Sequence, residues 1–212
     1  MNNELCLGFW KSKAENNPTI KTSKVSDIND FSEIDKEFIL KYVNKETKIL
    51  DLAAGTGITL NKYYDKVSEV TAVEKYKQFS DFIVKAPNIT VINEDISVFE
   101  PQNQYDVILM FGIVSYFNRD EIEKIYQKYL KYLKPNGKLI IKNQFGINED
   151  VIVANYSEEL GCDYFSEFRQ IQSEINMLKT LGLNKNELID IYPPECNRWG
   201  NTHFYAIVSS FS

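Results

Sequence analysis

The stretch that decides the fold is residues 49–58, which read ILDLAAGTGI. An apolar run leads directly into small residues, and Gly55 and Gly57 permit backbone angles and a close ligand approach that larger side chains would block. This order is typical of a buried strand that turns into a helix N-terminus, where backbone amides and the helix dipole favour negative groups. In open α/β sheets, ligands bind beyond the carboxyl ends of such strands. The stretch therefore predicts a ligand site at the edge of a parallel sheet.

Short apolar runs before and after this stretch extend the pattern. Each run is too short for a core helix and is rich in Val, Ile and Leu, as is typical of strands buried on both faces. The predicted strands are residues 48–52, 70–74, 89–93, 106–111, 138–142, 187–192 and 203–209. The loop between the last two is too short for a crossover helix, so these two strands should be antiparallel. We therefore predict an α/β fold: a Rossmann-like, doubly wound, seven-stranded sheet, mostly parallel with one antiparallel strand near the C-terminus, and with helices on both faces.

Helical spacing of apolar residues predicts the helices that cover this sheet. One predicted helix starts near residue 31, and a second starts at residue 119 with Asn118 as its N-cap. A third starts at residue 165 and is ended by Gly182. Residues 134–137, KPNG, should form a tight turn, and residues 143–164 read as irregular.

Composition and charge narrow the possible partners. The chain has 212 residues and a net charge of -6, so a nucleic-acid substrate is disfavoured and a membrane surface is an unlikely ligand by the same sign argument. The three cysteines are far apart and His203 is the only histidine, so we expect reduced thiols, a cytoplasmic location and no metal site. The first residues lack the basic start and apolar stretch of a secretory signal.

Acidic residues follow the predicted strands at even spacing. Asp51 ends the first strand, Glu74 ends the second, and Asp95 follows the third. A carboxylate at the end of the second strand can accept hydrogen bonds from both hydroxyls of a ribose. Asp95 can accept one from the amine of adenine, while Ile96 packs on the base. Each acid alone has a structural reading as a helix cap, a solvated helix start or a turn residue, but the three together favour a nucleoside site.

A dinucleotide-binding domain is the natural rival interpretation. Its G-x-G-x-x-G motif needs a third glycine for packing of the helix on the strand. Residues 55–60 read GTGITL and lack that glycine, so this interpretation is disfavoured.

The combination resembles the class I S-adenosylmethionine-dependent methyltransferases of the small-molecule type, whose first motif is D-x-G-x-G-x-G. Asp51, Gly55 and Gly57 match this motif, and Ala53 stands in place of its first glycine. Glu74 matches the family's ribose-binding acid, and residues 95–96 match its adenine-contacting pair. Residues 105–112 and the turn at 133–139 resemble the fourth strand and the start of the fifth. The likeness is good over residues 45–145 and extends to the end of the chain in topology only.

The resemblance implies an S-adenosylmethionine cofactor and a set of residues that hold it. Backbone at Ala53 and Phe111 would hold the amino-acid part of the cofactor. The expected cofactor-binding residues are Asp51, Ala53, Gly55, Thr56, Gly57, Glu74, Lys75, Asp95, Ile96, Phe111 and Gly112. We predict an arm or lid at residues 1–30 and a single methyltransferase domain at 31–212, with its cofactor half at 45–145 and its acceptor-binding half at 146–212.

The acceptor and the catalytic groups are less sharply defined by the sequence. Tyr116 lies where family members often carry an aromatic residue or a histidine near the methyl group, and His203 is the other candidate base; either residue could instead have a purely structural role. The substrate candidates are Trp10, Asn143, Arg169, Arg198 and Trp199, since Trp and Arg together suit a sugar ring or a phosphate. The working hypothesis is methyl transfer to an oxygen of a small polar acceptor: a sugar, a sugar nucleotide or a phosphate-bearing metabolite. An RNA or protein methyltransferase and a non-catalytic cofactor-binding partner are the alternatives.

Overall fold

The main body of the protein is a seven-stranded sheet. The structure is a computed structural model that describes residues 4–23, 30–157, 162–197 and 199–211. The strands are β1 (Lys48–Leu52), β2 (Glu69–Val73), β3 (Ile89–Ile92), β4 (Tyr105–Phe111), β5 (Leu133–Gly146), β6 (Val151–Ser157), β7 (Cys162–Phe168), β8 (Lys185–Asp190) and β9 (Thr202–Ser210). The main sheet has the order β3-β2-β1-β4-β5-β9-β8. Strands β6 and β7 form a separate antiparallel hairpin.

The pairing within the main sheet confirms the predicted topology. Strands β1 to β5 pair in parallel, and β9 lies antiparallel to both β5 and β8. From β1 to β3 the sheet grows in one direction, and from β4 onwards it grows in the other. The carboxyl ends of β1 and β4 therefore lie on either side of the point where the strand order reverses, the topological switch point. A crevice at that point is where ligands bind in folds of this kind.

The helices cover both faces of the sheet. They are α1 (Glu4–Glu15), α2 (Ser32–Leu40), α3 (Lys77–Ser80), α4 (Arg119–Leu130) and α5 (Ile171–Thr180). Apolar residues of α4 and α5 pack in one core cluster, and Phe38 and Ile39 of α2 pack in the other. The Asn118 side chain accepts from the Glu121 backbone and the Glu121 side chain accepts from the Asn118 backbone, so the predicted cap of α4 is a complete capping box.

The helix expected directly after residues 53–57 does not form, and the chain between β1 and β2 makes only 3-10 turns. Two 3-10 turns, Leu60–Lys62 and Tyr64–Lys66, lie between β1 and β2, and α3 is a single turn. The predicted tight turn at residues 134–137 is part of β5, where a register shift opposite Tyr105 and Val107 absorbs the extra residues.

The acceptor-binding half differs most from the prediction. The sequence predicts irregular chain up to residue 164 and a helix from residue 165. In the structure, residues 151–168 contain the β6–β7 hairpin, and α5 begins only at Ile171. Helix α1 packs on β7. We refer to α1 and this hairpin as the roof, because together they cover the turn at Val114–Tyr116 that follows β4. No helix in the described part of the chain is long and apolar enough to cross a membrane.

Candidate functional site

The loop after β1 has an unusual backbone. Ala53, Gly55 and Gly57 have φ angles of 63°, 58° and 70°, in the left-handed region that glycine tolerates and alanine does not favour. Ala53 thus adopts a glycine conformation at the position where the family motif carries glycine. Asp51, just before the loop, is buried and accepts a hydrogen bond from the Tyr63 hydroxyl at 3.2 Å. Burial raises the pKa of Asp51 to about 6, against the effect of this hydrogen bond.

Glu74 lies directly after β2 and connects to the glycine loop. Its Oε2 accepts from the Gly55 backbone N–H at 2.9 Å, and its Oε1 accepts from the Tyr76 N–H at 2.9 Å. The side chain is buried, which raises the pKa of Glu74 to about 7 in spite of these backbone donors. A buried carboxylate can accept further hydrogen bonds, as the predicted ribose contact requires.

Asp95 is held at the end of β3 by its neighbours. Its Oδ2 accepts from Lys75 at 2.8 Å, and its Oδ1 accepts from the backbone and the hydroxyl of Ser97 at 2.9 and 2.8 Å. Partial burial raises the pKa of Asp95, but Lys75 and Ser97 outweigh burial and the net shift is downward. Ile96 is buried in the core cluster below. The structure thus brings the three predicted acids to the ends of three adjacent parallel strands.

The end of β4 forms the other side of the crevice. Gly112 has a φ of 67°, and a Cβ added to it would meet no atom within 4 Å. Lys142, level with Phe111 on β5, lies 4.7 Å from the Phe111 ring centroid. Its ammonium donates to Asp35 Oδ2 and to the Tyr192 hydroxyl, each at 2.7 Å. Asp35 and Tyr192 were not singled out from the sequence, because α2, β5 and the loop after β8 meet only in the folded chain.

The described part of the arm lies against the glycine loop. Ser23 Oγ is 2.8 Å from Thr56 Oγ1, and Thr56 donates to the backbone oxygen of Ile20. A Cβ added to Gly55 would lie 2.8 Å from Ser23 Cβ. Further along, the Tyr76 hydroxyl donates to the backbone oxygen of Leu7 on α1 at 2.9 Å. The arm therefore covers the loop whose sequence predicted the ligand site.

Four aromatic rings, three from the roof and that of Tyr116, meet where the roof contacts the turn after β4. Trp10 and Tyr164 lie 5.8 and 6.1 Å from the Tyr116 ring, and Phe9 lies 5.2 Å from Tyr164. We call Phe9, Trp10, Tyr116 and Tyr164 the aromatic cluster. Burial raises the pKa of Tyr116 well above its usual value, so its phenol is protonated at neutral pH. A protonated phenol can orient a ligand by hydrogen bonding, but it is a poor general base.

Arg169, predicted to contact the acceptor, has an internal role instead. Its side chain is 1% exposed. Its Nε donates to Glu174 Oε2 at 2.5 Å, and its two terminal nitrogens donate to the backbone oxygens of Phe117 and Val114, each at 2.8 Å. This geometry holds the turn that carries Tyr116. The prediction assigned this buried structural cation to the acceptor site because nothing in the sequence indicates the partner Glu174.

The other candidates are placed as follows. His203 Nε2 lies 2.9 Å from Asp190 Oδ1 and 3.2 Å from the Asn197 amide nitrogen, at the outer strands β8 and β9, so the structure does not bring it together with Tyr116. Asn143 is buried and donates to the Gln144 backbone oxygen at 2.8 Å. Trp199 is 52% exposed, whereas Arg198 lies outside the described residues.

Comparisons with known proteins agree with this geometry. Residues 49–137 match a family model described as a methyltransferase domain. No curated protein sequence matches the chain.

Three solved structures illustrate the shared fold. The DhpI complex with SAH has a TM-score of 0.70 and 16% identity, over 99% of this chain and 97% of that one. A putative S-adenosylmethionine-dependent methyltransferase from Listeria monocytogenes has a TM-score of 0.68 and 15% identity, over 85% and 99%. Phosphoethanolamine N-methyltransferase 1 of Haemonchus contortus has a TM-score of 0.72 and 12% identity, over 99% of this chain and 49% of that one. At such identities the likeness is one of fold.

A seven-stranded sheet with this order, a glycine loop after β1 and an acid after β2 are features of nucleoside-binding α/β folds. Residues 49–137 match a methyltransferase domain, and the chain shares the fold of solved methyltransferases whose cofactor is S-adenosylmethionine. The residues present suit that cofactor, because Glu74 is a buried carboxylate beside the loop amide of Gly55 and Gly112 leaves space at the end of β4.

Proposed function

We propose that this methyltransferase transfers a methyl group to an oxygen of a small polar acceptor that binds between the carboxyl edge of the sheet and the roof. A sugar, a sugar nucleotide or a phosphate-bearing metabolite fits this description. The observation that carries the proposal is the contact of Glu74 Oε2 with the Gly55 backbone nitrogen at 2.9 Å. It joins the acid and the loop that bind a nucleoside in the family that the sequence resembles.

The cofactor would extend along the strand ends, from β1 to β3. Backbone at Ala53, Gly55, Thr56 and Gly57, together with Phe111 and Gly112, would hold its amino-acid end, near the buried Asp51. Glu74 would accept from the ribose hydroxyls. Asp95 would accept from the adenine amine, with Ile96 beneath the base and Lys75 holding the carboxylate in place through their 2.8 Å ion pair.

The reaction itself needs little acid–base chemistry from the protein. When bound, S-adenosylmethionine would supply a methyl group on a sulfonium, whose leaving group is a neutral thioether and needs no acid. The proton that the acceptor hydroxyl gives up would pass to solvent. The chain's own contribution is alignment and the exclusion of bulk water. Tyr116, protonated at neutral pH, would orient the acceptor through its hydroxyl.

The arm, residues 1–30, would act as a lid over this site. Two separate contacts support that role: Ser23 with Thr56 above the glycine loop, and Leu7 with Tyr76 beyond β2. Because the arm lies over the loop, cofactor exchange would require it to lift. Trp10, carried by the same segment, would then join or leave the acceptor side of the site together with the lid.

The acceptor contacts differ from those expected at first. Arg169 is fully engaged inside the protein and offers no free charge to a phosphate. Trp10 and Tyr116 remain acceptor candidates beneath the roof, and Asn143 lies on β5 near the same edge. Known proteins of this fold include a glycopeptide N-methyltransferase and a phosphoethanolamine N-methyltransferase, so the fold by itself does not select the acceptor atom.

Calorimetric titration tests the cofactor half of the proposal. S-adenosylmethionine and S-adenosylhomocysteine are titrated into the native protein, with NADH as the control ligand and an Asp51→Ala, Glu74→Ala double variant alongside. Micromolar binding that the double variant loses supports the proposal. NADH binding with no binding of either adenosyl compound would refute it.

A further inference from the structure

Two buried polar atoms beneath the roof lack hydrogen-bond partners. Within the described part of the chain, Trp10 Nε1 and Ser166 Oγ have no partner at hydrogen-bond distance, although both are shielded from solvent and have polar neighbours, Cys6 and Tyr116 for Trp10 and Tyr164 for Ser166. Ser166 is 0% exposed. Leaving such a group unpaired is costly, so a native protein that keeps one generally has a use for it.

Both atoms adjoin the aromatic cluster. Tyr164 and Ser166 lie two residues apart on β7, so their side chains point to the same face of the hairpin. The Tyr164 and Tyr116 rings are 6.1 Å apart, and the Trp10 ring lies 5.8 Å from the Tyr116 ring. The indole N–H, two phenols and the serine hydroxyl therefore form a row of hydrogen-bonding groups from α1, across the turn after β4, to β7.

Most side chains around this row in the described part of the chain are uncharged, with Lys13 beside Trp10 as an exception. The hydrophobic cluster here consists of Cys6, Phe9, Trp10, Ile113, Tyr116, Val153 and Tyr164. Burial raises the pKa of Cys6, so its thiol is neutral at physiological pH. Lys13 approaches the ring faces of Phe9 and Trp10, with its ammonium 5.4 and 5.5 Å from their centroids. Lys13 lies at the Trp10 end of the row, so a charged acceptor group near Ser166 would lose its hydration and gain at most a distant ionic partner.

We infer that Trp10, Tyr164 and Ser166, together with Tyr116, form the acceptor subsite, and that its ligand is an uncharged molecule with at least two hydroxyl groups on a compact ring, such as an unphosphorylated sugar. This inference rests on the proposed function and narrows its acceptor class. The ligand's hydroxyls take up the two unpaired groups, accepting from the Trp10 N–H and sharing a hydrogen bond with Ser166. The aromatic faces cover its apolar side.

The subsite has a signature that a structural role would not give. Ser166→Ala removes an unpaired buried hydroxyl, so the free protein should gain about 2–4 °C in Tm while acceptor binding weakens. Ser209 is the matched control, because it is equally buried but donates to Asn186 Oδ1 at 2.7 Å. Ser209→Ala should lower Tm and leave the acceptor KM unchanged. Trp10→Phe is the second test variant, since it keeps an aromatic ring and loses the N–H.

The experiment uses the full-length protein, S-adenosylmethionine labelled as CD3, and a small-molecule extract of the source cells. Products that gain the CD3 mass are separated on anion- and cation-exchange resins, and rates are followed over a dilution series of the extract. We expect label in the unretained, neutral fraction. We expect Ser166→Ala and Trp10→Phe each to raise the apparent KM about tenfold, as the loss of one good hydrogen bond would. The cofactor affinity of both variants should stay native.

Other outcomes separate this inference from the proposed function. Label only in the charged fractions would overturn the uncharged acceptor class. A neutral product formed with native KM by both variants would overturn the subsite. Absence of labelled small molecules, with the cofactor bound normally, would overturn both the small acceptor and the subsite. Failure of the cofactor to bind would instead refute the proposed function at its first step.

Discussion

Arg169 and Glu174 form a buried ion pair, with Nε and Oε2 2.5 Å apart and exposed fractions of 1% and 0%. The same guanidinium donates to the backbone oxygens of Val114 and Phe117, and the Tyr126 hydroxyl donates to Glu174 Oε1. Burial lowers the pKa of Arg169, but Glu174 and Tyr126 outweigh it and the net shift is upward. The pair therefore ties helices α4 and α5 to the turn that carries Tyr116.

Breaking this pair should destabilise the protein strongly. Glu174→Gln leaves the buried Arg169 charge with only Glu167, 3.9 Å away, as an anion, and we expect the free energy of unfolding to fall by about 3–5 kcal/mol in urea titrations. Arg119→Gln is the control, because its ion pair with Asp150 is exposed and should contribute less than about 1 kcal/mol. Similar losses in the two variants would contradict the assigned role of the buried pair.

Cofactor affinity should depend on pH through Glu74. Burial raises the pKa of this carboxyl to about 7 in the free protein, whereas ribose hydroxyls that donate to it favour the ionised form. Binding should therefore release a proton, and the affinity for S-adenosylhomocysteine should fall about tenfold between pH 8 and pH 6. Calorimetry in two buffers of different ionisation enthalpy measures the proton directly. Glu74→Gln should bind weakly with a flat profile, and a steep profile in that variant would assign the proton elsewhere.

The same carboxyl affects folding with the opposite trend. Its folded pKa of about 7 lies above the ordinary value of 4.5, so the protonated form is favoured in the folded state. The resulting stability is fully present below pH 4.5 and is lost as the pH rises through 7. Between pH 4.5 and pH 7, the free energy of unfolding of the free native protein should thus fall by more than that of Glu74→Gln, as measured by urea unfolding at each pH. Parallel curves for the two proteins would contradict the raised pKa.

Ala53→Gly should stabilise the protein. Ala53 has a φ of 63°, which costs an alanine roughly 1–2 kcal/mol and a glycine almost nothing. After the larger chain entropy of unfolded glycine is subtracted, the free energy of unfolding should rise by about 0.5–1 kcal/mol. Ala54→Gly, at an adjacent position without a positive φ, should lower it instead. A loss in both variants would show that the loop does not hold Ala53 in this conformation.

Loosening the arm should speed cofactor release. Tyr76→Phe removes the 2.9 Å hydrogen bond from its hydroxyl to the Leu7 backbone oxygen. A loss of about 1 kcal/mol in the closed state should raise the dissociation rate of S-adenosylhomocysteine roughly fivefold in stopped-flow experiments. Tyr132→Phe, which loses an exposed bond to Glu100, is the control and should release at the native rate. Equal rates in all three proteins would argue against a lid.

The parts of the fold that the sequence predicts well depend on local patterns. Strand β1 has the predicted bounds, because continuous apolar runs mark strands buried on both faces. The antiparallel β9 followed from loop length, and the capping box at Asn118 followed from residue type and spacing. The positions of the three acids at strand ends likewise followed from the parallel order of the strands.

The features that were missed depend on contacts between distant segments. Helix α1 is polar in sequence, and residues such as Cys6 and Ala14 become core only when it packs on β7. Phe168 and Ile171 have helical spacing, yet Phe168 ends a strand whose partner lies earlier in the chain. Arginine is a residue type that is mostly found at the surface. Only the tertiary structure brings Arg169 together with Glu174 and the two backbone oxygens that make its burial possible.

The position of β9 constrains how the chain can acquire its structure. Strand β9 lies between β5 and β8, so neither of these has its final neighbour on that side until residues 202–210 arrive. During synthesis, β5 would leave the ribosome with an open edge, and the half of the sheet that precedes it would have to wait for more than fifty further residues. Pairing of such separated segments is slow. Completion of the sheet therefore waits until β9 has emerged, and nascent chains that stop before β9 are the form most exposed to aggregation and chaperone capture.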